Sequence, residues 1–368
     1  MKRRMFGAWV IVALGCNSGD GREDTTTLTT VTTVTTPATG VDSDSGTPTT
    51  GAPTGTTAGT SSAGATGSDS TSEPVGTSST GNPTGPIFDL GGGLDLGGGP
   101  KPQPQLWYSV EDLLVYVELN RGDGKVAQLV TSTIKPNPSL AGPVNSCGLT
   151  MLPDGSLLGS RGIAGSTRMF HVPDPPTVAG AIDVTILGML PGKLYVEALY
   201  TDCEGRVYLV DTGVDGSSNE GNRLLRFTGD YLAKDFKYEV ITDLQVAVSA
   251  DIDDMAPGID AQGLVIDNPG FGIDSGSVYA LDYTDGSGTL LGMAGTYGIH
   301  ALGKPMFDDD KSRLYILDVD ANLYEADPKT LTLSPVLATG PGLMSGNKPG
   351  NTGITGPLTD CRSGFPPG

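Results

Sequence analysis

An all-β fold is predicted: a β-propeller of five blades, or six if the weak third unit conceals another, preceded by a disordered Thr/Ser/Gly/Pro-rich linker. Three observations lead there. Four stretches between residues 151 and 318 repeat one pattern of an apolar residue, Asp within a tight-turn cluster and a short apolar strand. The two ends of the region that holds them read as complementary parts of one further unit. The first quarter of the chain lacks the apolar area that any core needs.

The chain opens with Lys2, Arg3 and Arg4, then an uncharged apolar run from Met5 to Leu14, then Gly15 and Cys16. A positive start, a short apolar stretch and a small residue at the cut form a secretory signal. The run is about ten residues against roughly 20 for a membrane-spanning helix, too short to remain as an anchor. Ala13-Leu14-Gly15-Cys16 resembles the lipobox of bacterial lipoproteins, with Ala13 and Leu14 departing from its commonest form. The resemblance implies cleavage before Cys16, a diacylglycerol on its thiol, and a lipid-anchored, extracytoplasmic protein of the bacterial cell envelope. Residues 1–15 are then the signal peptide. One acyl chain holds only marginally, at about 0.8 kcal/mol per buried methylene, and several hold far longer.

Residues 16–104 follow as a low-complexity stalk, for example "TTVTTVTTPATGVDSDSGTPTT". Such composition cannot offset the entropy of ordering. Its r.m.s. reach is roughly 50 Å, and the Ser/Thr/Pro bias suits O-glycosylation. It ends in "FDLGGGLDLGGGP" (Phe88 to Pro100), two short apolar triplets between glycine runs. Residues 105–368 form the folded domain. The net charge of −20 argues against nucleic-acid partners, which require clustered Lys and Arg, and against adhesion to anionic headgroups.

Within the domain, "MLPDGSLLGS", "YTDCEGRVYLVD", "IDAQGLVID" and "FDDDKSRLYILD" align on Leu157, Val207, Leu264 and Leu314. The spacing of roughly 50 residues lies in the range of propeller blades. A further strand follows each, "RMFHV", "RLLRFT", "SVYALD" and "NLYEAD". "GPLTDCRSG" (Gly356 to Gly364) starts a fifth unit and the chain stops, while "LLVYVELNRGDGKVAQLV" (Leu113 to Val130) supplies a hairpin around Gly-Asp-Gly. N-terminal strands completing a blade that the C-terminus begins would close the ring and remove most exposed sheet edges. Pro257, Pro305 and Pro357 fall where the innermost strand of three blades should lie, an edge that tolerates a missing N–H. In general style the blades resemble regucalcin-like and strictosidine-synthase-like propellers. That likeness implies architecture and no activity.

Counting back about a dozen residues from each anchor reaches the expected start of each inner strand, at or near Asn145, Glu197, Asp253 and His300, with Asn351 in the fifth unit. These five would ring one mouth of the channel. Glu197, Asp253 and His300 are the candidate metal ligands, for Ca²⁺ if the donors are mostly oxygen; Asn145 and Asn351 are candidate ligand-binding residues. In regucalcin-like lactonases, carboxylate and Asn ligands at a channel mouth hold a divalent ion, so the resemblance implies such a site by position alone. Either of the acidic runs "ADIDDMAPGID" and "FDDDKS" could bind Ca²⁺, but such runs read first as solvated turns. "DVDAN" (Asp318 to Asn322) begins like a calcium loop, but Leu323 stands where an EF-hand needs Gly.

Nucleophilic catalysis has little support. The chain has two histidines, no Gly-x-Ser-x-Gly elbow, no Cys-x-x-Cys and no phosphate loop ahead of a helix, so no catalytic residue is assigned. With Cys16 lipidated, Cys147, Cys203 and Cys361 remain. Strand order sets them at opposite ends or on non-adjacent blades, so three thiols and no disulfide are expected. Three functions stay open: an envelope-anchored binding module whose partner is a protein, glycan or small molecule, a metal-dependent hydrolase or lactonase at the channel mouth, and a structural envelope protein without a ligand.

Overall fold

The structure is a computed structural model that describes residues 103–135, 137, 146–163, 166–212, 222–246, 251–294, 296–341 and 352–358. Cys16, the stalk call, Asn145 and Asn351 lie outside the described residues. Among the described residues, twenty strands form five sheets, and the chain is a five-bladed propeller. The first blade holds β1 (Gln105–Val110), β2 (Leu113–Leu119), β3 (Val126–Ile134), the two-residue β7 (Ala181–Ile182) and, on its inner side, the C-terminal β20 (Ile354–Thr355). The second holds β4 (Ser146–Met151), β5 (Leu157–Ile163), β6 (Ser166–Val172) and β8 (Thr185–Met189). β9 (Val196–Thr201), β10 (Val207–Asp211), β11 (Arg223–Phe227) and β12 (Tyr238–Asp243) form the third. β13 (Asp254–Ile259), β14 (Val265–Asp274), β15 (Ser277–Leu281) and β16 (Gly288–Met293) form the fourth. The fifth has β17 (Thr296–Leu302), β18 (Arg313–Asp318) and β19 (Leu323–Ala326).

An Asp clamps the turn between neighbouring strands in three blades, between the first two strands in the third and fourth blades and between β18 and β19, the second and third strands, in the fifth. Asp202 Oδ1 accepts from the N–H groups of Glu204 and Arg206 at 2.9 and 2.8 Å. Asp260 does the same for Gln262 and Leu264, and Asp318 for Asp320 and Asn322. In each turn the carbonyl of that residue also accepts from the residue three further on, Gly205, Gly263 or Ala321. That residue has positive φ, as a turn closed by a left-handed residue requires. The acidic residues of "DVDAN" and of "IDAQG" are therefore explained by backbone geometry. In "FDDDKS", Asp309 pairs with Arg313 at 2.8 Å.

Packing follows the sheets. Each pair of neighbouring blades encloses one apolar cluster, such as Leu106, Tyr108, Val115, Tyr315 and Leu317 between the first and fifth. Between the third and fourth lie Tyr200, Tyr208, Met255 and Tyr283. At the axis the inner strands nearly touch. A Cβ on Gly148 would stand 2.6 Å from the Glu197 carbonyl oxygen, and one on Gly353 would stand 2.3 Å from the Leu149 nitrogen. Only glycine permits such approach.

Closure combines both ends of the domain. β20 pairs with β1 through Trp107↔Thr355 and Tyr108↔Ile354. The N-terminal part contributes three long strands rather than the two read from sequence, because "QLWYSV" also joins as β1. The inner strand from the C-terminus begins at Ile354, ahead of the predicted "GPLTDCRSG". Pro257 lies within inner strand β13, whereas Pro305 sits in a short 3₁₀ turn after β17 and Pro357 follows β20.

One expectation is corrected. Cys203 is disulfide-bonded, so the chain does not carry three thiols. The expectation took non-adjacent blades to be out of reach. Around a narrow axis they are not: Gly356 to Leu358, past β20, line the same small cleft as Thr201 and Asp202 of the third blade. The side chains of Cys147 and Cys361 lie outside those described.

Candidate functional site

The inner strands share an irregularity near their starts. In β9, Val196 pairs with Asp211 and Ala198 with Val210, so Glu197 is left without a residue opposite. In β17 the same happens to Tyr297, between Thr296↔Asp318 and Gly298↔Leu317. In β4 it happens to Cys147, between Ser146↔Arg161 and Gly148↔Ser160. A bulge adds one residue to one strand and re-aims its side chain. Three blades therefore present a bulged residue at corresponding places around one end of the axis.

Glu197 is fully buried, and it meets Asp251 and Asp253 from the lead into β13. One oxygen from each carboxylate lies within 4.8 Å of the others. Asp253 is fully buried and Asp251 partly so. The Asp253 backbone N–H donates to Ile273, and its Oδ2 accepts from the Ser275 N–H at 2.8 Å. Ser275 and Gly276 both have positive φ between β14 and β15, the geometry of a two-residue hairpin turn. That turn points an N–H at the carboxylate. Asp253 Oδ1 has no hydrogen-bond partner among the described residues. Burial, then the negative charges of Glu197 and Asp251, push the Asp253 carboxyl well above its usual range, against the pull of the Ser275 N–H.

Asp254, the next residue, is spent on structure. Its Oδ2 accepts from Ile299 of β17 at 3.0 Å and from Ile354 of β20 at 3.2 Å, and its Oδ1 from Met255 at 3.0 Å. One buried carboxylate thus ties three inner strands together. Burial raises its pKa while these three donors lower it.

His300 stands further along its strand than Glu197 does along β9. It shares a small void with Thr150, Thr201 and Thr355 and does not join the three carboxylates. Burial pushes its imidazole down to about 3, against a hydrogen bond to the Gly356 backbone, so the ring is neutral at ordinary pH. Its Nε2 meets no partner among the described residues. Beside it, the Thr150 and Thr201 hydroxyls lie 2.9 Å apart. His171, the other histidine, lies in β6, where burial lowers its pKa despite Asp154 and Asp174 nearby.

Of the sequence candidates, Glu197 and Asp253 therefore come together, and Asp251 joins them. Asp251 lies in the acidic run "ADIDDMAPGID" two residues ahead of Asp253, outside the positions that counting back from the anchors reaches. Chemically, three carboxylates this close favour either protons or a cation, since like charges oppose joint ionisation. An all-oxygen donor set is the kind that Ca²⁺ takes.

Another buried carboxylate, Asp267 of β14, accepts from the Tyr200 hydroxyl at 2.6 Å and from the Cys203 N–H at 3.0 Å. Burial raises it to about 6, with Tyr200 pulling it down. It fixes the disulfide-bearing turn of the third blade against the fourth.

The chain matches no protein-family model and none of the curated proteins. Among solved structures it is similar to a catalytically inactive virginiamycin B lyase from Staphylococcus aureus with quinupristin, at 15% identity over 64% of this chain and 70% of that one, TM-score 0.33. It is similar also to the calcium-binding protein regucalcin from Agrobacterium tumefaciens, at 18% identity over 57% and 66%, TM-score 0.33. A third is apo AztD from Citrobacter koseri, at 12% identity over 66% and 85%, TM-score 0.29.

Proposed function

We propose that the chain is an envelope-anchored lipoprotein, held to a membrane by lipid on Cys16 and spaced from it by residues 16–104, whose propeller is a binding module. Its site is the channel mouth. Glu197, Asp251 and Asp253 hold a divalent cation there, Ca²⁺ by donor type, and a protein, glycan or small-molecule ligand meets the cation's open positions. The observation that carries this reading is the gathering of three carboxylates, two of them fully buried, with single oxygens within 4.8 Å of one another. Removing charges from water is costly, and a bound cation offsets that cost.

Calorimetric titration of the full chain with CaCl₂, and thermal unfolding with and without EDTA, test it. A site filled at 1,000-fold excess adds about 4 kcal/mol of apparent stability. Glu197→Gln and Asp253→Asn should each abolish that gain while leaving the fold intact in EDTA. An unchanged midpoint across millimolar Ca²⁺, Mg²⁺ and Mn²⁺ would remove the cation from the reading and leave a structural envelope protein in its place. A metal-dependent hydrolase or lactonase is the second reading, favoured by the uncommitted Asp253 Oδ1 as a proton acceptor beside a cation that polarises a carbonyl. Turnover of lactones or aryl esters that Glu197→Gln eliminates would select it.

A further inference from the structure

A groove of about 630 Å³ runs between the outer strands of the second and third blades, with Met189 and Pro191 on one side and Phe236 and Tyr238 on the other. Its aromatic wall is fixed: Phe236 lies 6.3 Å from the Phe227 ring, which in turn lies 5.0 Å from Tyr231. Two lysines border it. Lys234 is exposed and held at φ 68 by the turn into β12, and Lys237 is exposed and pairs with Asp235 at 2.9 Å. Asp235 lines the groove as well, so two lysines against one carboxylate leave it net positive in a chain with 42 acidic and 22 basic residues.

The matching chemistry stands directly ahead of the propeller. Phe88-Asp89-Leu90 and Leu94-Asp95-Leu96 are two copies of one triplet, an Asp flanked by large apolar residues, separated by three glycines. Phe88 is the only aromatic residue between positions 16 and 104. The remaining linker offers Thr, Ser, Gly and Pro, with acids that are not enclosed by apolar neighbours. We propose that these two triplets dock in the groove between the second and third blades, their apolar side chains against Met189, Phe236 and Tyr238 and their carboxylates toward Lys234 and Lys237.

From Leu96 to Gln105, where β1 begins, an extended chain covers about 30 Å, and from Phe88 about 60 Å. Glycines between the triplets let each settle separately. Docked, the segment shortens the free linker and fixes how the propeller leaves it, independently of whether the channel mouth holds a cation.

Carbodiimide cross-linking of the full chain, which joins a carboxylate directly to an amine in contact, followed by peptide mapping, tests the proposal. The expected products link Asp89 or Asp95 to Lys234 or Lys237. They should form within one chain when ¹⁴N- and ¹⁵N-labelled protein are mixed. Replacing Phe88, Leu90, Leu94 and Leu96 together by Ser leaves the propeller untouched and should lower these products at least several-fold. In the same variant, amides of residues 236–240 should exchange faster with deuterium. Lysines that link only to Asp235, cross-links solely between chains, or exchange unaltered by the Ser variant would each overturn it.

Discussion

His300 shows how one side chain ties the axis of the propeller to pH. Its ring is buried and its pKa falls from 6.5 to about 3. Unfolded, the imidazole takes up a proton below about pH 6.5; folded, it does not. Its contribution to stability is therefore complete above that pH and is lost as pH falls toward 3. Between pH 7 and pH 5 this amounts to about 2 kcal/mol. His300→Gln should remove that slope, so urea midpoints of variant and wild type should diverge at pH 7 and converge at pH 5. Equal slopes would mean that the ring is reached by water in the native state. The sequence indicated which strand His300 occupies but not its depth. Counting back from the second strand assumes equal turns, whereas five residues separate β9 from β10 and ten separate β17 from β18. The longer turn moved the counted position inward. For Glu197 and Asp253 the shorter spacing held, and their meeting with Asp251 depends on contact between blades, which no local pattern encodes.

Turns set the next scale. Gly205 and Gly263 occupy the same left-handed position in the third and fourth blades, with φ of 79° and 73°. A Cβ on Gly263 would meet nothing within 4 Å, while one on Gly205 would lie 2.9 Å from Pro153 Cγ. Gly263→Ala therefore isolates backbone strain, about 1–2 kcal/mol. Gly205→Ala adds a clash and should cost more, which denaturant titration of the two variants measures. If Gly263→Ala were neutral, the turn would be adapting rather than imposing its geometry. The fifth blade tells the converse story. Leu333 to Gly340 joins β19 through isolated bridges, Leu323↔Ala338 and Ala326↔Leu333, and not as a continuous fourth strand. Pro335 between them lacks the N–H a continuous ladder requires. β1 went unread because "QLWYSV" follows a proline-rich stretch and shows no alternation; it is almost entirely buried on both faces, and such strands lose the period-two signal.

For the molecule as a whole, two strands at opposite ends of the domain, β1 and β20, decide whether five sheets form a ring. β20 has two residues, but Ile354 is buried in the cluster between the first and fifth blades, its N–H reaches Asp254, and Thr355 Oγ1 accepts from the Met151 N–H at 2.9 Å. Burial of Ile354 contributes about 2–3 kcal/mol and each hydrogen bond about 1 kcal/mol. Removing residues 351–368 should thus cost about 5 kcal/mol or more and lower the single thermal transition of all blades together. Loss of the first blade alone, seen as a separate early transition, would show that the blades are not coupled through the ring. The five-blade count was legible because each blade repeats its own turn. The disulfide was not, since it depends on how closely strands converge at the axis.

The bulges at the start of the inner strands carry a consequence for how such a ring changes over time. A residue with nothing opposite it contributes no rung to the ladder, so its identity is free of the constraints on Val196 and Ala198 beside it. Glu197, Tyr297 and Cys147 occupy that place in three blades, three unlike chemistries on one backbone solution. Each works as an exchangeable socket in a fixed frame. Exchange of Glu197 or Tyr297 therefore changes the chemistry at the start of an inner strand while the ladder behind it keeps its pairing. Copies of this architecture can therefore part company in what they recognise long before they part company in shape.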